Sequence, residues 1–277
     1  MPDNRPLVVI VTGLPLEYES MRSHLTNLRK HWIAPAVRTE LGDLPGSPWQ
    51  VALAEVGPPA SSAAVIVASV VHRLSPDALL FVGVAGALKD GVEVGDLVVA
   101  TRIYAFQGGK ETPEGFYARP QSWHSSHWIH QAARHALLGQ PRVHFSPIAA
   151  GDVILNHERS SLLDQLRRSY NDAVAIEMEG AGIAHAAHLA GHMETLTIRG
   201  ISDVADATKK PEDQRGAQRT AASRAATAAA DVLRALEPRH SRPVQGSYAG
   251  DHIDFRGSTF FGAVAGKIDV ESQGRDE

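Results

Sequence analysis

A chain of 277 residues, 43% of them hydrophobic, suits one large domain or two small ones, and its formal charge of −4 gives it no polyanion-binding character. The absence of cysteine excludes disulfides, thiol catalysis and cysteine metal sites, and leaves the redox compartment undecided. No basic run points to DNA or RNA, no apolar stretch is long enough to span a bilayer, and the polar opening at 1–6 lacks a signal-peptide core, so the cytoplasm is the expected location.

In chain order, Leu7–Thr12 is a β-rich run ended by Gly13, and the spacing of Leu16, Met21, Leu25 and Leu28 predicts a helix over 16–29. A strand is expected at 49–56, stopped by Gly57-Pro58-Pro59, and a buried helix at Ala60–Leu74. The near-continuous apolar run at 78–84 fits a central strand covered on both faces. A strand at 96–104 precedes a Gly-, Pro- and charge-rich loop at 107–121. Helices are expected at 128–138, 160–170, 178–189 and 218–236, and strands at 143–148 and 194–201. This alternation predicts a single α/β domain over 1–237, with a mixed, mostly parallel central sheet flanked by helices. Residues 238–249 read as a linker. Residues 250–277 read as a short tail: a β-hairpin or edge strand, a docking element for a protein partner, or a flexible segment.

Carboxylates carry the candidate chemistry. Glu177 and Glu179 bracket Met178 at the start of an apolar segment, and Asp203 follows Ser202 at the end of a strand. Acidic groups beside apolar segments are costly to bury unpaired, so they are candidates for a site that binds hydroxyls and moves protons. One such group alone fits a helix N-terminus as well; three together favour a site.

Several segments, in order, resemble the nucleoside phosphorylase and nucleosidase superfamily, most of all its methylthioadenosine/S-adenosylhomocysteine nucleosidases. They are Ile176-Glu177-Met178-Glu179, Ser202-Asp203-Val204-Ala205-Asp206, Phe81-Val82-Gly83-Val84-Ala85-Gly86, Val94-Gly95-Asp96-Leu97-Val98-Val99 and Ala150-Gly151-Asp152-Val153-Ile154-Leu155. The opening strand, loop and helix over 8–25 match too, with Glu17 at the family's acidic position, and the likeness covers about 6–237.

The resemblance implies hydrolysis of the N-ribosidic bond of a purine nucleoside, adenine being the implied base. Asp203 would protonate the leaving purine, with Ser202 steering its carboxyl and Arg199 pairing with a nearby carboxylate. Glu179 would accept the ribose hydroxyls over a floor made by Met178, and Glu177 would tune the pocket or touch the sugar edge. Glu17 would position or deprotonate water, with Glu19 as its competitor. Gly83, Ala85 and Gly86 would let the backbone approach the ligand, Ile154 and Leu155 would flank the base, and Leu14 joins the substrate-binding set.

Three departures stand out. Val84 replaces a family serine or threonine, Ile154 replaces a phenylalanine, and the lid at 207–215 is polar and partly basic where the family is apolar and aromatic. Lys209 and Lys210 could meet a 5′-phosphate there, or be solvated. His124, His127 and His130 are spaced like ligands on one helical face, and His185, His188 and His192 form a second cluster. Metal binding would need further ligands, so packing is the expectation, with no metal and no cofactor.

The runner-up activities are a purine nucleoside phosphorylase and a nucleotide-cleaving or sensing effector module of a multi-component system. The segment at 55–62 offers hydroxyls but no arginine for phosphate, which favours water. The expected partners are a purine nucleoside or nucleotide and a second copy of the chain, with no membrane and no nucleic acid. The homo-oligomer, a dimer first, would form through the core, with Phe106, Phe116 and Tyr117 offered to a neighbouring pocket.

Overall fold

The computed structural model describes residues 5–34, 37–113, 115–153, 160–191, 193–204 and 211–239. Strand β1 (Leu7–Thr12) leads into helix α1 (Pro15–Arg22), followed by β2 (Thr26–Ala34), β3 (Val37–Asp43) and β4 (Gln50–Glu55). Helix α2 (Ala60–Leu74) returns to β5 (Ala78–Ala87), and β6 (Leu97–Ala105) follows. A ribbon of β7 (Gly109–Thr112) and β8 (Gly115–Ala118) precedes β9 (Gln121–His124), α3 (His127–Ala136) and β10 (Val143–Ala150). The chain continues through α4 (Ser161–Ser169), β11 (Ala175–Glu177), α5 (Gly180–Leu189), β12 (Glu194–Val204) and α6 (Pro211–Ala235).

Among the described residues, one mixed sheet has the order β11-β10-β6-β12-β5-β1-β4-β3-β2, with β9 against β6. β1 lies parallel to β4 and β5, and β5 parallel to β12. β1 and β5 are almost entirely apolar because both faces are covered. Val8 and Ile10 point into a core with Trp49, Leu53 and the alanine-rich face of α6, and Val9 and Val11 into a core with Val67 and Val70 of α2 and Ile183 of α5. Full burial of such a side chain contributes about 1.5–3 kcal/mol. No described helix is long and apolar enough to cross a membrane.

The helix expected over 16–29 stops at Arg22, and Thr26–Ala34 is a strand instead. Leu25 and Leu28 still meet the core, but Asn27 takes a φ of 53° and the chain pairs with β3 as a hairpin. Strand pairing there overrides the helical spacing. The loop expected at 107–121 contains the β7–β8 ribbon. The tail at 250–277 lies outside the described residues.

Candidate active site

Parallel strands β1, β5 and β12 end at one edge of the sheet, and β11 runs antiparallel against the end of β5. Sites of α/β proteins form at such edges. After β1, the turn Gly13-Leu14 feeds Pro15 at the first position of α1, where its missing N–H has no intrahelical role. Glu17 bends back from this first turn. Its Oε2 accepts the N–H groups of Gly13 at 2.8 Å and Leu14 at 2.9 Å, and its Oε1 accepts that of Val84 at 2.7 Å. Burial pushes the Glu17 carboxyl above its ordinary range, against the pull of Arg199 and these backbone donors. Glu19 is exposed.

Behind Glu17, Arg199 of β12 is only 1% exposed. Its Nη2 donates to Glu177 Oε2 at 2.6 Å, and its Nη1 stands 4.0 Å from Glu17 Oε1. Its guanidinium carbon lies 3.5 Å from the centre of the Phe81 ring. Glu177 Oε2 also accepts the N–H groups of Glu179 at 3.1 Å and Gly180 at 2.9 Å, which satisfies orphan donors at the start of α5. A Cβ at residue 83 would overlap both the Arg199 guanidinium and the Glu17 carboxyl, so this crossing requires Gly83.

In front of this layer, Glu179 Oε2 and Glu17 Oε2 both approach Gly13, at 3.2 Å and 3.5 Å from where a Cβ would stand. The Glu179 carboxyl is pushed up to about 7 by burial, opposed by Arg199 and reinforced by Glu177 and Glu17. At the end of β12 the pairing with β5 slips between Ile201 and Asp203, so Ser202 is an extra residue in the strand. Ser202 Oγ donates to Asp203 Oδ2 at 3.0 Å. Asp203 Oδ1 comes within 2.7 Å of a Cβ position on Gly86, so a larger residue at 86 would displace it.

A cavity of about 290 Å³ opens here, lined by Leu14, Glu17, Ala85, Gly86, Glu177, Met178, Glu179, Ser202 and Asp203. Ile154, Leu155 and the lid residues 207–210 lie outside the described residues. Val84, Val153, Ile176 and Gln218 also line the cavity. Gln218 sits on α6 amid alanines, and no local pattern marks it. A larger cavity of about 690 Å³ lies between α2 and α5, walled by Val65, Val71, His72, Leu189 and Met193. It contains no carboxylate, so chemistry rather than size picks the candidate site.

Other expectations disperse. His124 is on β9 while His127 and His130 are on α3, so the three share no helical face. His185 stacks on Trp123, ring centres 5.4 Å apart, and His188 lies three residues on in α5; His192 is outside the described residues. Among the described residues, no group of three His, Asp or Glu side chains is arranged to hold a metal ion. Phe106 is not free to cover a neighbour. It is fully buried among Leu88, Leu163, Leu166 and Tyr170, whereas Phe116 and Tyr117 of β8 are exposed.

A family model described as the phosphorylase superfamily matches residues 7–236. A 5′-methylthioadenosine/S-adenosylhomocysteine nucleosidase of Actinobacillus succinogenes is 30% identical over 204 residues, 71% of this chain and 85% of its own length. One of Chromohalobacter salexigens is 27% identical over 209 residues, 72% of this chain and 84% of its own. The solved structure of the enzyme of that name from S. pneumoniae, with the transition-state inhibitor MT-ImmA, is similar with a TM-score of 0.74 and 26% identity; the match covers 83% of this chain and 100% of the other.

Proposed function

We propose, from the premise that this chain belongs to the phosphorylase superfamily, that it is a nucleosidase, hydrolysing the N-ribosidic bond of an adenine nucleoside such as methylthioadenosine or S-adenosylhomocysteine. One observation carries the choice of water over phosphate. The N–H groups of Gly13, Leu14 and Val84 form a ready cradle for an anion, and the Glu17 carboxyl already fills it. Inorganic phosphate would have to displace a carboxyl held by three hydrogen bonds.

In this reading the C–N bond breaks with its electron pair passing to the base, and Asp203 supplies the proton to a ring nitrogen. Ser202 holds the Asp203 carboxyl by its hydrogen bond. The sugar passes through an oxocarbenium-like state, as in glycoside hydrolysis. Glu179 accepts the ribose hydroxyls beside Met178 and stabilises the developing positive charge. Water then forms the bond to the anomeric carbon and gives its proton to Glu17. Glu177 acts from behind: its carboxyl, engaged by Arg199 and the start of α5, keeps Met178 and Glu179 in place. Ala85, Gly86 and Leu14 shape the wall.

The test is chromatography of purified protein incubated with methylthioadenosine, S-adenosylhomocysteine, adenosine, inosine, AMP and ATP, each with and without phosphate. Free adenine and free sugar are expected from a nucleoside without phosphate. Strict dependence on phosphate, with a sugar phosphate as product, would make the protein a phosphorylase instead. The AMP and ATP arms decide whether a 5′-phosphate is accepted.

We further propose a cytoplasmic homodimer formed by the core, with the exposed Phe116 and Tyr117 of β8 as its aromatic anchors. The tail would serve a protein partner. A chain ending at Pro238 is expected to remain dimeric by light scattering and to remain active. An inactive monomer would move the interface to the tail.

A further inference from the structure

The end of β12 that carries Ser202 and Asp203 is held by a turn that does not line the candidate active site. The Gly95 N–H donates to the Ile201 carbonyl at 2.8 Å, and the Ile201 N–H donates back to the Asp96 carbonyl at 2.8 Å. The buried Asp96 side chain fixes the turn. It accepts the Glu93 N–H at 3.1 Å, Arg142 Nε at 2.5 Å and His144 Nε2 at 2.8 Å. Gly95 has a φ of 87°, a left-handed conformation that favours glycine.

Helix α6 reaches the same turn. The Ala221 carbonyl stands where a Cβ on residue 200 would be, so the helix backbone rests directly on β12 at Gly200, two residues before Ser202. Less than one helical turn further, Arg224 donates from Nη1 to the Gly95 carbonyl, and from Nη2 to those of Pro141 at 2.6 Å and Arg142 at 3.3 Å. A planar guanidinium fork suits several fixed carbonyls at once, whereas an ammonium is a single point charge. The same helix carries Gln218 into the cavity wall.

We propose that Arg224 is a positioning residue for the reaction: by clamping α6 to the Gly95–Asp96 turn, it fixes where Ile201 presents Asp203 to the substrate. It touches no reacting atom, and its effect travels through two backbone hydrogen bonds. The inference rests on the reading of Asp203 as the acid. A clamp that served stability alone would lower the melting temperature and leave turnover per folded molecule unchanged.

The experiment compares full-length Arg224→Met, Arg224→Lys and Asp203→Asn with the wild type, using methylthioadenosine and amide hydrogen exchange well below melting. Because small displacements of a reacting group are heavily penalised, Arg224→Met is expected to lower kcat about tenfold. KM should stay within about threefold, since sugar and base contacts persist. Exchange at the Gly95 and Ile201 amides should quicken by about tenfold, while amides of β1 and β4 keep their protection. Arg224→Lys should fall between, and it decides by the same two readouts if the methionine variant does not fold. A kcat within about twofold of wild type, or faster exchange spread evenly over the sheet, overturns the proposal. Near-normal turnover in Asp203→Asn would instead overturn the acid and remove the premise. An inactive Asp203→Asn beside a fully active Arg224→Met would sink Arg224 alone.

Discussion

Asp203→Asn is expected to lower turnover on purine nucleosides by about 10²–10⁴-fold, the usual loss when a general acid is removed. The substitution is nearly isosteric, and its carbonyl oxygen can keep the hydrogen bond that Ser202 Oγ makes at 3.0 Å. The slip in pairing at Ser202 and the close approach to Gly86 belong to the backbone, so they still aim residue 203 into the cavity. What disappears is the transferable proton. Binding of free adenine should therefore change little while kcat collapses, the pattern of an interaction made only in the transition state. Nucleosides with better leaving groups need less help from an acid, so they should lose less; an activated aryl riboside is the sharpest probe. Turnover near wild type on every nucleoside would place the acid elsewhere.

The backbone of this site was readable from local pattern, and its electrostatics were not. Runs such as 78–84 betray a strand covered on both faces, and the alternation of strands and helices points to a mixed sheet flanked by helices; β2, β3, β9 and β11, with the antiparallel pairings they add to the expected mostly parallel sheet, carried no such local signal. Glu177, Glu179 and Asp203 stood out because carboxylates seldom interrupt apolar segments without a purpose. Which carboxylate Arg199 would meet was hidden. Glu17, Glu177 and Arg199 come from α1, β11 and β12, and only the lateral order of the strands brings them together. Gln218 was hidden for the same reason, since its place depends on how α6 lies across β12. Two misreadings had the opposite cause, a local signal that packing overruled. Leu25 and Leu28 kept helical spacing into a segment that pairs as β2, and Phe106 sits in a Gly-rich region yet is buried against α4.

Glu179→Gln is expected to move stability and activity in opposite directions. Burial, with Glu177 and Glu17 nearby, pushes the Glu179 carboxyl up to about 7 from an ordinary value of 4.5, despite the attraction of Arg199. Between those values the native state holds a proton that the unfolded chain has released. Stability therefore falls as pH rises through this window and levels off above it. At about 1.4 kcal/mol per pH unit, the ionised carboxyl destabilises the fold by up to ~3 kcal/mol at alkaline pH. Glutamine fills the same space without the charge. The variant should match the wild type near pH 4.5 and melt several degrees higher at pH 8, given about 2–4 °C per kcal/mol for a domain of this size. Activity should fall about 10²-fold, because an amide cannot offset positive charge developing on the sugar. The wild type should also show kcat/KM rising with pH toward about 7 as Glu179 ionises; the glutamine variant loses that contribution and keeps only the rise set by Glu17, which must ionise to take the water's proton. Thermal melts at several pH values, beside pH–rate profiles, test both halves. A glutamine variant less stable than wild type at pH 8 would mean that Arg199 more than compensates the buried charge, and Glu179 would not be a group kept against the fold's stability for the sake of the reaction.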